Sequence, residues 1–420
     1  MLRGNEGVGI KTKMKKIFFS LFAYGFSLFT CLFSQGLWTK KADFGGKPRW
    51  GAAAFSIGNK GYLGAGGDSV NYLHDFWEYD PSSDVWTQKT NFPAYYASEE
   101  PIGFSIGNYG YIVCSYSNEL WRYDPVGNLW TPAASLLGPV RVWESAFSVG
   151  GYGYVGTGQN NTGYLLDFWK YDPVNDAWTQ MGNFPGAGRN HICYATFVIG
   201  NKGYWGTGAG IPPGFYNDWW EYEPSTDIWT QKASLLVSQQ RFGATAFSIG
   251  NKGYLGLGFG GSPNGTFLND LLMYDPTANS WSSETSFPGI ARYDAPSFVV
   301  NNKAYVGTGA NSNGLCFTDF WEFAPKVTGI NEIQGPISIA VSSNPFSTQT
   351  TFSFTEAIKN ANFQLFSIAG KEERNISFSG RQLVVERGVL SAGIYFYFIT
   401  TPSPAGEGRG EVATGKIIIQ

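Results

Sequence analysis

Histidine and cysteine are nearly missing from this chain, with two of the former and four of the latter among 420 residues. So few imidazoles and thiols leave little from which to build a zinc or copper centre. His74 and His191 fall in different repeats, so a shared metal is not expected, and neither is a cofactor. Charge is scarce too: Asp, Glu, Lys and Arg make up 15% and the formal net charge is −3. Without a basic stripe there is no electrostatic case for nucleic-acid binding. Helix formers in 3.6-residue spacing are almost absent, which excludes a helical core.

Long apolar runs are missing as well, with one exception. "KTKMKK" at 11–16 precedes "IFFSLFAYGFSLFTCLF" at 17–33. A basic flank, an apolar run too short for a comfortable span and small residues after it make residues 1–34 a signal peptide, with cleavage after Ser34. The mature chain then has no transmembrane segment. Met14 is a more natural start than Met1, which places 1–13 ahead of the translated protein. A lipid anchor on Cys31 is the alternative, for which "LFTC" is a poor lipobox. Removal of the leader leaves Cys114, Cys193 and Cys316, an odd number that argues against a disulfide framework and for small buried hydrophobes.

What the chain has in abundance is aromatic rings (17%), 55 glycines and a refrain. "GAAAFSIGNKGYLGAGG" (51–67) returns around Phe104, Phe147, Phe197, Phe247 and Phe298, and "DFWEYDPSSDVW" (75–86) returns after each copy. Each unit predicts four short strands: a hairpin through the N-K or G-Y turn, a third strand stopped by D-P, and a fourth bearing Trp. The Tyr of "YDP" and the next Trp are seven residues apart in five units, Tyr79–Trp86 being the first, which predicts rings on neighbouring strands. The sixth unit ends at "APK" with no Trp strand, while "LWTKKADF" (37–44) opens the chain as a fourth strand without its unit. The N-terminus is therefore expected to complete the last unit and leave no open edge.

Six such units resemble kelch repeats, and the resemblance implies a six-bladed β-propeller over 37–326. Unit two departs from the pattern, with "IVCSYSNE" in place of the Gly-rich end of its second strand. After a linker at 327–336, residues 337–420 lose Trp and show about seven short alternating runs, which predict a small Ig-like β-sandwich. "NPF" (344–346), "LSAGIYFY" (390–397) and the terminal "GKIIIQ" resemble the type A C-terminal sorting domain of bacterial type IX secretion. That resemblance implies a Bacteroidetes-like source, the secretion machinery as a partner, and delivery to the cell surface or medium. A generic Ig-like adhesion module is the alternative.

Several catalytic-looking strings are repeat grammar. "GFSIG" (103–107) matches a nucleophile elbow, but its Ser recurs in other units and no helix follows. "GYGYVG" (151–156) and "GLGFGG" (256–261) match G-x-G-x-x-G inside strand hairpins, with no helix N-terminus to receive a phosphate. The copper constellation of galactose oxidase-like propellers and the Asp-box turns of sialidases cannot be placed. The aspartates before each third strand (Asp75, Asp167, Asp218, Asp270, Asp319) are expected to be turn caps.

A more pointed pattern precedes each first strand. Arg49, Arg141, Arg189, Arg241 and Arg292 recur there, followed by Trp50, Trp143, His191, Phe242 and Tyr293, while unit two has Tyr95, Tyr96 and Glu99. These loops should ring one mouth of the channel. Either each Arg is a blade-to-blade strut held by carbonyls or a loop Asp, or the ring offers cationic forks beside aromatic faces to a ligand. The expected function is a non-enzymatic, exported module that binds a glycan or protein through its loop-bearing face. Two alternatives stand: a carbohydrate-active, mutarotase-like enzyme on an acidic sugar with Glu99 or Glu144 as acid–base group, and a structural adhesin with no small ligand.

Overall fold

The computed structural model describes residues 36–419, apart from 69, 94–99, 191–193, 211–213, 262–264, 312–313, 326–338, 343, 369–370 and 403–408. The leader, the linker, Tyr95, Tyr96, Glu99, His191 and Cys193 lie outside the described residues. The chain divides into two compact units, Met1–Lys326 and Val327–Gln420.

Unit one contains six four-stranded antiparallel sheets. Blade one shows the construction, with strands Ala53–Ile57, Lys60–Gly64, Phe76–Asp80 and Val85–Lys89. Its first strand alternates, burying Ala53, Phe55 and Ile57. The turn after it needs a left-handed residue, which Gly58 supplies at φ 58° and Asn301 supplies in blade six at φ 52°. The first strands are innermost. Ala53–Ile57 lies against Ile102–Ile106, which lies against Ser145–Val149, and so on through Thr196–Ile199, Thr245–Ile249 and Ser297–Val300 back to Ala53–Ile57. That closed sequence of neighbours makes the unit a β-propeller.

The refrain has a packing reason at each beat. The Phe of one first strand occupies the space where a Cβ on the "G-Y" glycine of the next blade would stand: Phe55 at Gly110, Phe104 at Gly153, Phe147 at Gly203, Phe197 at Gly253 and Phe298 at Gly61. Tyr79 and Trp86 are cross-strand partners with ring centroids 4.9 Å apart, and the four other expected pairs are spaced alike.

Blades are tied to their neighbours at this outer hairpin. Asp84 accepts from Tyr79 Oη at 2.6 Å within its blade and from Ala42 N of the preceding connection at 3.0 Å. Trp178 Nε1 reaches the Ala134 carbonyl at 2.7 Å in the same fashion.

The opening strand completes the ring. Leu37–Lys41 pairs antiparallel with Phe320–Ala324, and Trp38 Nε1 donates to the Thr285 carbonyl at 2.9 Å as its counterparts do. Trp38 also packs on Phe287 and Phe323, so sequence-distant ends share one sheet and one core.

Unit two is likewise all β, with its core around Phe352, Phe363, Leu365, Tyr397 and Ile417. The expected seven short strands merge into five: Ile339–Ser342, Gln349–Ser367, Glu372–Glu386, Gly393–Pro402 and Arg409–Ile419. "TTFSF" and "NFQLFSI" are two parts of one strand. Register shifts between Ser353 and Ala361 mark the join, so it pairs with Ile339–Ser342 at one end and Gly393–Pro402 at the other. A bulge redirects a strand without the turn residues that a sequence reading looks for.

Candidate functional site

The five arginines occupy equivalent places, and all five are fully buried. Arg292 is typical. Its Nε donates to the Ile290 carbonyl at 2.8 Å, Nη1 to the Thr308 carbonyl at 2.8 Å, and Nη1 and Nη2 to Asp319 at 2.6 and 2.9 Å. Phe287 and Phe317 lie on the faces of its guanidinium at 5.0 and 4.1 Å. Arg49 makes the same set with Lys47, Ala65 and Asp75, and burial pulls its guanidinium pKa down against the opposing pull of Asp75. Arg141 takes Asp167, Arg189 takes Asp218 and Arg241 takes Asp270.

Two expectations are corrected here. With four hydrogen bonds apiece and no exposed surface, Arg49, Arg141, Arg189, Arg241 and Arg292 have no fork to offer a ligand. The aspartates are the partners of these arginines and not turn caps. The strut also differs from the one expected, because Arg and Asp belong to the same blade. It staples the loop entering the first strand to the loop leaving the second.

The staple continues outward to a tryptophan. Asp75 accepts from Trp77 Nε1 at 2.7 Å, Asp167 from Trp169 at 2.6 Å, Asp218 from Trp220 at 2.8 Å and Asp319 from Trp321 at 2.8 Å. A buried cation thus fixes a carboxylate, which fixes the plane of a half-buried indole. In blade two Glu119 and Trp121 remain without the Arg, and in blade five Leu272 replaces the Trp.

Two of these tryptophans line open grooves of closely similar volume, about 480 Å³ in blade one and about 450 Å³ in blade three. The linings correspond in register: Gly46 with Gly138, Lys47 with Pro139, Leu73 with Leu165, Asp75 with Asp167 and Trp77 with Trp169. Gln180 and Asn183 add amides to the second. Glycine is required at the groove wall, since a Cβ on Gly46 would stand 2.5 Å from Asp75 Oδ2 and 2.8 Å from Arg49 Nη2. Sequence reasoning passed over these tryptophans because they looked like strand residues; the "D-x-W" spacing at the third strand was the available signal.

The aromatics expected beside the arginines separate. Trp50 pairs through its backbone with Gly67. Phe242 and Tyr293 come together, their centroids 6.2 Å apart, and join Phe215, Phe259 and Phe267 in a half-buried cluster spanning loops of blades four to six. Trp143 belongs to a different feature, the channel mouth.

Two residues before four of the inner strands, and three before a fifth, the chain turns left-handed at Gly51, Glu100, Trp143, Gly243 and Asp294, with φ between 49° and 64°. Backbone bonds link these positions across blades, from Gly51 N to the Asp294 carbonyl at 3.1 Å and from Asp294 N to the Gly243 carbonyl at 2.9 Å. The ring carries acidic side chains unevenly. Glu100 and Asp294 are buried, and Glu144, the next residue after Trp143, is buried as well. Burial pushes the Glu144 carboxyl up to about 7, against the nearby Arg141 and the Ser115 hydroxyl, which lies 3.1 and 3.2 Å from its two oxygens. Burial raises Asp294 also.

Glu144 was expected from the sequence; Glu100 and Asp294 were missed. Their signal was a carboxylate where blades one and five carry Gly. Among the described residues, no group of three or more His, Cys, Asp or Glu side chains has metal-holding spacing, and no helix is long and apolar enough to cross a membrane.

No protein-family model matches this chain, and no curated protein matches it. Solved structures do. One, titled "Structure of YjhT", aligns with a TM-score of 0.55 at 16% sequence identity, covering 66% of this chain and 95% of that chain. At that identity the likeness concerns the fold alone.

Proposed function

We propose that this chain is an exported kelch-type propeller that binds carbohydrate on its loop-bearing face, with the C-terminal unit serving type IX secretion. The observation that carries the binding reading is the pair of grooves built alike in blades one and three. An indole held in a fixed plane stacks on the C–H face of a pyranose, and neighbouring amides take its hydroxyls. Because the Arg–Asp staple sets the indole before any ligand arrives, little side-chain entropy is lost on binding. Two separated grooves favour a polymeric glycan, which gains from simultaneous engagement.

The test is retention of the full chain on immobilised neutral and acidic polysaccharides, beside Trp77→Ala and Trp169→Ala. Retention by one polysaccharide class should fall at least tenfold in the double variant, with circular dichroism unchanged. Retention unaffected by both substitutions would move the site away from the grooves, and no retention on any polysaccharide would leave the structural adhesin.

A second reading, a sugar-active enzyme, is favoured by the uneven set of buried carboxyls at the channel mouth. Glu144, held near neutrality, is its acid–base candidate. The arginines, already paired, do not supply its substrate contacts. Turnover of a reducing sugar lost in Glu144→Gln, with groove variants unaffected, would select it.

A further inference from the structure

Lys47 lines the blade-one groove with Trp77, and it is exposed. Every other lysine among the described residues of the propeller meets a carboxylate or, at Lys170, the face of the Tyr152 ring. Among the described residues Lys47 makes neither contact. Asp68 feels its charge but already caps its own turn, accepting from Val70 N at 2.7 Å and Asn71 N at 2.6 Å. Asp75, the acid in the groove wall, is held by Arg49 and the Trp77 indole. The Arg49–Asp75 pair cancels, so the groove keeps one positive charge beside a fixed ring.

This cation belongs to one blade. In the five stapled blades the arginine Nε donates to the carbonyl two residues before it, which puts Lys47, Pro139, Ala187, Gln239 and Ile290 at one register. A bond to the backbone asks for no particular side chain, so the staple does not account for the lysine. The blade-three groove has the same wall with Pro139 in its place, and it carries the amides of Gln180 and Asn183. Its acid, Asp167, is paired with Arg141. Two grooves of one design therefore differ in charge, one cationic and one neutral.

An ammonium beside an indole suits a sugar that bears an anion, since the pyranose face meets the ring and a carboxylate or sulfate meets the ammonium. We propose that the blade-one groove takes an anionic sugar residue of a polysaccharide through Lys47 and Trp77, while the blade-three groove takes a neutral one. This rests on the reading of both grooves as carbohydrate sites. The chain as a whole, at a net charge of −3, repels a polyanion, so the attraction has to come from a local site of this kind.

The full chain is passed over an immobilised neutral β-glucan, a polyuronate and a sulfated galactan at salt between about 20 and about 500 mM. One of the two anionic polymers should retain it more strongly than the glucan does, and salt should weaken that retention; which polymer does so separates carboxylate from sulfate. At low salt Lys47→Met should lower this retention about threefold and Lys47→Glu about tenfold, with retention on the glucan and circular dichroism unchanged. Pro139→Lys, which keeps the carbonyl that Arg141 uses, should raise it about threefold.

Retention lowered by Trp77→Ala and Trp169→Ala but untouched by Lys47→Glu overturns the anionic assignment and leaves both grooves as neutral-sugar sites. A loss in Lys47→Glu with none in Trp77→Ala reduces the lysine to a surface charge and overturns it equally. Retention indifferent to the tryptophan and lysine substitutions alike, or absent on every polymer, removes the carbohydrate reading of the grooves and this proposal with it.

Discussion

Removing Asp319 should damage the propeller more than removing the arginine it holds. Arg292 is fully buried, while the Asp319 side chain is 22% exposed. In Asp319→Ala the guanidinium keeps two carbonyls and two ring faces but loses its counter-charge. An uncompensated buried charge of this kind costs about 3–5 kcal/mol. In Arg292→Met the apolar stem packs between Phe287 and Phe317, and Asp319 keeps the Trp321 indole and gains water at its exposed edge. That change should cost about 1–2 kcal/mol. For a domain of this size the two variants should melt roughly 8–12 °C and 2–5 °C below wild type. Calorimetry gives the order directly, and urea unfolding monitored by tryptophan fluorescence gives the free energies. Arg292→Met proving the worse variant, or both lying within about 0.5 kcal/mol of wild type, would refute the account of these pairs as buried staples.

Three further outcomes are expected. The Glu144 carboxyl is raised from 4.5 to about 7, so the folded chain holds a proton that the unfolded chain releases. Its stabilisation is complete below pH 4.5 and gone above pH 7, a loss of up to about 3 kcal/mol that Glu144→Gln should remove from the pH profile of Tm. An equal slope in variant and wild type would rule this out. Deleting residues 36–41 should expose the Phe320–Ala324 edge and lower Tm by more than about 10 °C. A peptide spanning 36–44 added in trans should restore part of the loss, and an unchanged melting curve would show that the ring closes without its opening strand. Burial raises the Cys114 thiol, so it should resist a thiol reagent in the native state and react on unfolding; prompt reaction would contradict its place in the core.

The fold was legible because it is written six times. One "YDP" and one Trp mean little; the same spacing in five units left one arrangement of strands, and the orphan "LWTKK" left one way to close the ring. The second unit was less legible, because a bulge within Gln349–Ser367 carries none of the Gly or Pro signals that mark a turn. The site was least legible. Repetition showed that the arginines matter to five of the six blades but not whether they face a ligand or the core, since both uses place Arg beside aromatics. The sequence did hold a discriminating sign. Blade two lacks the Arg and also has Glu119 where the others have Asp, so the two residue types change together within one chain. Partners covary in this way, whereas ligand contacts on separate blades need not.

The same comparison between repeats shows where function should be sought. Positions that five of the six blades keep, such as the arginines, the Tyr–Trp pairs and the glycine facing a neighbour's Phe, have structural partners that account for them. At the channel mouth the ring has Gly at 51 and 243 but carboxylates at 100 and 294, all in the left-handed region. Glycine there costs little, while Glu and Asp add backbone strain and buried charge. Strain and buried charge of this kind gather at functional sites, which is why the irregular residues of a regular fold are the first to test.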